Sequence, residues 1–216
     1  MGDIFREIDE ELRQERFEKL WQRYGKLVIG AAVAIVLAVA GYKAFEHYQT
    51  KQRETQSAQF AAASKLLAEG KKTDAAALFA ALSRDGNQGY AVLSRFHQAS
   101  IKAETGDLDG ALTLYDEIAA DNDVDKSLRD AAVIFSVSRQ VDGGASERAK
   151  LDARLKPLME EKGPWRHSAN ELSGLLALQA GDNVVAREMF TKIADDPDAP
   201  QNLRTRASQI LAVIPK

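Results

Sequence analysis

The chain has no cysteine among its 216 residues, so it can form neither a disulfide framework nor a zinc site built on thiolates. Histidine is nearly as scarce: His47, His97 and His167 stand far apart, in none of the spacings that hold a metal or pair with a nucleophile. There is no HExxH, no GxSxG and no glycine-rich loop able to cradle a phosphate. Charge of one sign is lacking too. The net charge is −3, and beyond Ser57 twenty bases meet twenty-three acids, which leaves no electrostatic footprint for nucleic acid. Asp195, Asp196 and Asp198 crowd around Pro197, and Asp121, Asp123 and Asp125 alternate with other residues. Both groups read as helix-end turns, with Asp198 as a possible cap, rather than as calcium sites. These absences point away from an enzyme and away from any cofactor or metal. With only five prolines and long runs of Ala, Leu, Glu, Lys and Gln, the sequence predicts an all-α protein.

What is present begins with Leu27 to Tyr42, which read LVIGAAVAIVLAVAGY without a charged side chain. As a helix these sixteen residues cover about 24 Å, short of a hydrocarbon layer of about 30 Å. Lys26 and Lys43 can lay their methylenes along the apolar zone, which extends the span to Tyr24–Phe45. Trp21 and Tyr24 before it, and Tyr42, Phe45 and Tyr48 after it, sit where interfacial aromatics belong. The expectation is one transmembrane helix over 27–45. A core helix is the bland alternative, and Ala38-Val39-Ala40 has the small-x-small form of a signal peptidase site. The leader argues against cleavage, because 1–26 is long and holds seven acids against six bases. Five bases precede the span within fifteen residues and three follow it, a bias that predicts a cytoplasmic tail over 1–26 and residues 46–216 across the membrane. Within the span Gly30, Ala34 and Ala38 fall four apart, a ridge that would admit a second transmembrane helix, although alanine is common enough there for this to arise by chance. In the tail, Ile4, Phe5, Ile8, Leu12, Phe17, Leu20, Trp21 and Tyr24 share one helical face, either a docking handle or a solvated leader.

Beyond Glu46 no glycine or proline interrupts the chain until Gly70, so the membrane helix is expected to continue as a stalk into the first helix of the following domain. From Gly70 onward the sequence repeats. Gly70, Gly106 and Gly181 are each followed by alanine at five residues, an aromatic at nine and an aliphatic at twelve. The alanines Ala75, Ala111 and Ala186 are expected where helices cross closely, and Phe79, Tyr115 and Phe190 between neighbours. A fourth copy should turn near Asp142-Gly143-Gly144, in degenerate form: counting from Gly144 places Ala149, Ala153 and Lys156 at the repeat positions, with Pro157 interrupting the helix. A period of roughly 34 to 38 residues with a small residue in the turn is the mark of tetratricopeptide-type hairpins. The first helices are predicted at 57–69, 90–105, 127–141 and 165–180, and Pro197 and Pro200 separate off a last, capping helix. The fold class is thus an all-α chain, with an amphipathic and transmembrane N-terminal helix followed by a solenoid of about four hairpins and a C-terminal cap.

GYAVL at 89–93, GDLDGA at 106–111, GPW at 163–165 and GLLALQAGDNVVAREMF at 174–190, behind a short tail and one anchor, resemble the YfgM-type ancillary subunits of the bacterial Sec translocon. The resemblance implies a single-pass inner-membrane protein whose repeat domain faces the periplasm. It implies association with the translocation channel and with a membrane-anchored, prolyl-isomerase-like chaperone. A tetratricopeptide stack binds through a groove formed largely by its first helices, which here offer Tyr90, Arg95, Phe96, His97, Lys102, Arg139, Trp165 and Arg166. The expected function is a tethered adaptor placing a chaperone or a translocating client at the channel exit. A regulator that sequesters a signalling component, or a solenoid freed by signal peptidase, are the alternatives.

Overall fold

The structure, a computed structural model, describes residues 3–142, 147–160 and 162–215, with side chains given in the first helix at 18, 21–27 and from 29 onward. In order, the elements are α1 (Asp3–Ala68), α2 (Lys72–Asp85), α3 (Gln88–Glu104), α4 (Leu108–Ala120), α5 (Lys126–Asp142), α6 (Arg148–Leu155), a 3-10 turn (Lys156–Met159), α7 (Arg166–Gln179), α8 (Asn183–Ala194) and α9 (Gln201–Val213). No strand occurs among the described residues. Contacts divide the chain into two units, 1–55 and 56–216.

In the first unit the expected stripe from Ile4 to Leu20 lies on α1, but the side chains of Ile4, Phe5, Ile8, Leu12, Phe17 and Leu20 fall outside the described residues. Trp21 and Tyr24 are exposed. The part of α1 from Trp21 onward is long and apolar enough to cross a membrane. Several of its large side chains are exposed: Leu27, Leu37 and Tyr42 keep 68%, 67% and 66% of their surface. So continuous an apolar sleeve suits a hydrocarbon layer or an apolar partner surface better than water. Gly30, Ala34 and Ala38 lie in it uncovered. Lys43 pairs with Glu46 at 2.7 Å where the apolar run gives way to polar residues.

In the second unit the repeats take their shape at the turns. Gly70, Gly106 and Gly181 have φ of 77°, 92° and 73°, the left-handed conformation that side chains resist. Each closes its helix in the same way: the amides of Lys71, Asp107 and Asp182 donate to the carbonyls of Leu66, Lys102 and Ala177, all at 2.9 Å. This six-to-one bond satisfies a carbonyl the helix end would otherwise leave open. Asp107 and Asp182 then cap the next helix, their carboxylates accepting from the amides of Gly110 and Val185. The first-helix segments end at Ala68, Glu104, Asp142 and Gln179, within a residue of the positions expected from the pattern.

Packing follows the pattern. Ala75, Ala111 and Ala186 are fully buried, as are Phe79 and Phe190, and Tyr115 nearly so. Opposite each aromatic lies a second small residue, seven before the turn glycine: Ala63, Ala99 and Gly174. Ala63 packs with Ala75 and Phe79, and Ala99 with Ala111 and Tyr115. At Gly174 a Cβ would meet the Phe190 ring at 2.9 Å. Each aromatic is thus held between two positions that admit no large side chain. Burying such a ring contributes roughly 1.5–3 kcal/mol.

The third hairpin departs from its expected register. Ala149, Ala153 and Lys156, the positions counted from Gly144, are all exposed. The buried residues are Leu151, Leu155 and Leu158, each two further along. The reason is the length of the turn: five residues separate α5 from α6, where three separate the helices of the other hairpins. The turn residues Gly143 and Gly144 lie outside the described residues. Leucine replaces alanine and the aromatic, Pro157 ends the helix in a 3-10 turn, and polar ties reinforce the join. Arg148 reaches Asp152 and Asp182 at 3.2 and 3.1 Å, the second of these the cap of α8. After α8, Asp196 rather than Asp198 accepts at the turn, from the Asp198 amide at 2.8 Å. Pro200 leads into α9, whose Ala207 packs against the α7–α8 pair.

Candidate functional site

The eight residues expected to line a groove have different surroundings. Tyr90 packs its ring 5.5 Å from that of Phe60. Arg95 pairs with Asp121 at 2.9 Å, and Lys102 pairs with Asp107 at the second hairpin's turn. Trp165 donates its indole N–H to the Ser127 carbonyl at 3.0 Å and packs against the core around Val137 and Leu155. Arg166 pairs with Asp196 at 3.2 Å. The remaining three, Phe96, His97 and Arg139, come together in one place.

That place is a cavity of about 200 Å³ lined by Phe96, His97 and Ser100 of α3, Tyr115 of α4, and Phe135 and Arg139 of α5. Three rings form its wall. Phe96 meets Phe135 edge to face at 5.7 Å, and Tyr115 stacks on Phe135 at 6.0 Å. Phe135 keeps 44% of its surface, unusual for a ring in a helical core. Behind the wall the His97 imidazole lies flat on Phe79, centroids 4.4 Å apart and planes 7° from parallel. Burial holds that imidazole below its ordinary pKa, so at neutral pH it is an uncharged aromatic surface. Burial likewise pushes the Tyr115 phenol up, against the pull of the nearby Arg139 cation.

Arg139 is the charged group of the cavity. Its guanidinium lies 3.5 Å from Ser100 Oγ, and no carboxylate comes within ion-pair distance of it among the described residues. The nearby Glu104 is taken by Lys72 at 2.9 Å and by Ser100, which together with the more distant Arg139 charge hold its carboxyl below the usual range. A cation beside three rings, with no carboxylate at ion-pair distance among the described residues, is chemically suited to an apolar side chain adjoining a negative or strongly accepting group. No group of three acids or histidines able to hold a metal occurs among the described residues.

Phe135 and Ser100 were not expected. The signal for Phe135 was available: it lies one helical turn before Arg139 and so shares its face. Tyr115, expected only as packing, serves both the core and the cavity wall.

A family model described as a tetratricopeptide repeat-like domain matches residues 18–211. Among curated proteins and solved structures nothing matches the chain significantly.

Proposed function

This chain belongs to the tetratricopeptide repeat-like domain family, and from that premise we propose that it is a membrane-tethered adaptor that binds protein partners through its α3–α5 cavity. The observation that carries the reading is Arg139, a cation with no carboxylate at ion-pair distance among the described residues, beside the exposed Phe135 ring. Such a cavity takes a short segment that presents an aromatic or aliphatic side chain next to a carboxylate.

The finer identity rests on the resemblance of GYAVL, GDLDGA, GPW and the 174–190 run to YfgM-type subunits, and on the charge bias around the apolar helix. On that reading the anchor lies in the bacterial inner membrane, with the tail in the cytoplasm and the repeats in the periplasm. There the protein joins the Sec translocon to a membrane-anchored, prolyl-isomerase-like chaperone and to emerging clients. A reporter active only in the periplasm, fused after Lys216, should be active, and the protein should resist carbonate extraction. Crosslinking in intact membranes should recover translocon subunits and a single-pass periplasmic chaperone, and Arg139→Ala should reduce the chaperone yield without changing insertion. Recovery of cytoplasmic signalling proteins alone would favour a regulator, and a soluble product beginning at Gly41 would favour a freed solenoid.

A further inference from the structure

Three residues that line the α3–α5 cavity, Tyr115, Phe135 and Arg139, are each followed in the chain by a polar residue: Asp116, Ser136 and Gln140. On α5 the pair Phe135 and Arg139 shares one face, and the pair Ser136 and Gln140 shares the next, about 100° round the helix. The first pair lines the cavity. The second belongs to a polar cluster beside it.

Ser136 is the centre of that cluster. It is fully buried, and its hydroxyl donates to Asp116 Oδ1 of α4 at 3.2 Å and accepts from the Arg154 guanidinium of α6 at 3.3 Å. The other terminal nitrogen of Arg154 binds the Asp116 carboxylate. One guanidinium thus joins residues 38 and 18 positions earlier in the chain, on two different helices. Its planar fork suits the task, because two nitrogens at a fixed separation hold two acceptors in a fixed relation. Arg154 is itself held. Leu151 and Leu155 seat α6 in the core, while Arg148 pairs with Asp182 and Asp152 accepts from Ser173 of α7 at 2.8 Å. An ion pair as exposed as Arg154–Asp116 adds little to stability, so its main effect is on orientation.

We propose that Arg154 is a positioning residue for the α3–α5 cavity: by holding Asp116 and Ser136 together it sets the rotation of α4 against α5 that stacks Tyr115 on Phe135 and keeps Arg139 beside them. The cavity wall is therefore shaped in part from α6, a helix that contributes no residue to it. Asp116 is exposed, so salt reaches the pair, and at 1 M the screening length falls to about 3 Å. Strong salt should relax the wall. The proposal concerns the shape of the cavity and stands whatever the cavity binds.

The test places 4-fluorophenylalanine at position 135 of the full chain in detergent micelles and follows its fluorine resonance. Arg154→Met, which keeps an unbranched stem but no fork, should displace or split that line. Salt at 1 M should displace the line of the protein with Arg154 in the same direction and leave that of Arg154→Met where it is. Arg154→Lys, which keeps the charge without the fork, should fall between the two. Two controls separate orientation from general loosening. Ala186→Leu crowds the α7–α8 crossing and should melt lower without moving the line, and Arg206→Met, which breaks the exposed pair with Glu171, should leave the line in place. Three results would overturn the proposal: an unmoved line in Arg154→Met, a salt effect of equal size with and without Arg154, or a line that moves as far in Ala186→Leu or Arg206→Met.

Discussion

Replacing Gly174 with alanine tests the packing rule at its tightest point. In most helix interiors the change is favourable, by about 1 kcal/mol, because alanine loses less backbone freedom on folding. Here the new methyl group would land 2.9, 3.0 and 3.2 Å from three atoms of the Phe190 ring. That ring is fully buried, in a cluster with Ala177, Ala186 and Ile193, and has nowhere to move. Overpacking of this kind costs about 1–3 kcal/mol. The two effects leave a net loss of about 1 kcal/mol, or roughly 2–4 °C for a chain of this size. The assay is thermal unfolding of the full chain in mild detergent, followed by far-UV circular dichroism. Gly89→Ala is the control, since a Cβ there meets only the Asn87 side chain at an ordinary 3.6 Å, and it should melt at or above wild type. Phe190→Leu frees space at the crossing, so it should cost less in the Gly174→Ala background than alone, with a coupling of about 0.5–3 kcal/mol. If Gly174→Ala melts at or above wild type and shows no coupling to position 190, the sandwich of ring between small residues is wrong.

Other substitutions extend the test. Ala111→Leu and Ala186→Leu put bulk into fully buried crossings and should each lower stability by about 1–3 kcal/mol in the same melt. Gly106→Ala forces a methyl group into a backbone with φ of 92° and should cost about 1–2 kcal/mol although nothing crowds its Cβ. Stability should fall with acid in two limbs. The His97 and His167 pKa values are lowered by burial, so their contribution is complete above about pH 6.5 and is lost as pH falls through the lower folded values. His97→Phe should flatten that first limb in melts taken across pH. The second limb belongs to Asp121, Asp182 and Asp196, whose carboxyls are held down by Arg95, by the Val185 amide and by the Asp198 amide respectively. Their contribution is complete above about pH 4 and is lost below it.

The repeat architecture was legible because its markers are local and scarce. A glycine at φ above 70° cannot easily be replaced, so Gly70, Gly106 and Gly181 stand out in a sequence of helix formers. Ala75 and Phe79 followed by counting. The small residue seven before each glycine was harder to see, because Ala63 and Ala99 are lost among many alanines and only contact with Phe79 or Tyr115 distinguishes them. The third hairpin was misread by two residues because glycine pairs at 143–144 attract the alignment, while the burial pattern is set by the leucines at 151, 155 and 158. At the α3–α5 cavity, residue type pointed to Phe96, His97 and Arg139 but equally to Arg95 and Arg166. Which arginine has an acid at ion-pair distance is a property of three-dimensional pairing: Asp121 and Asp196 lie 26 and 30 residues from Arg95 and Arg166 along the chain.

The longer third turn also bears on how the domain comes apart. A stack of hairpins behaves as a row of units coupled to their neighbours, and such rows ordinarily fray from the ends. Here the short α6, stopped after two turns by Pro157 and lacking the small-aromatic-small lock, is the weakest coupling, and it lies inside the row. Opening is therefore expected to start in the middle. Amide hydrogen exchange should show α6 and its 3-10 turn exchanging ahead of α3–α4 and α7–α8, which form two separate cooperative blocks. A protein built in this way can flex between its α3–α5 and α7–α8 surfaces without unfolding either of them.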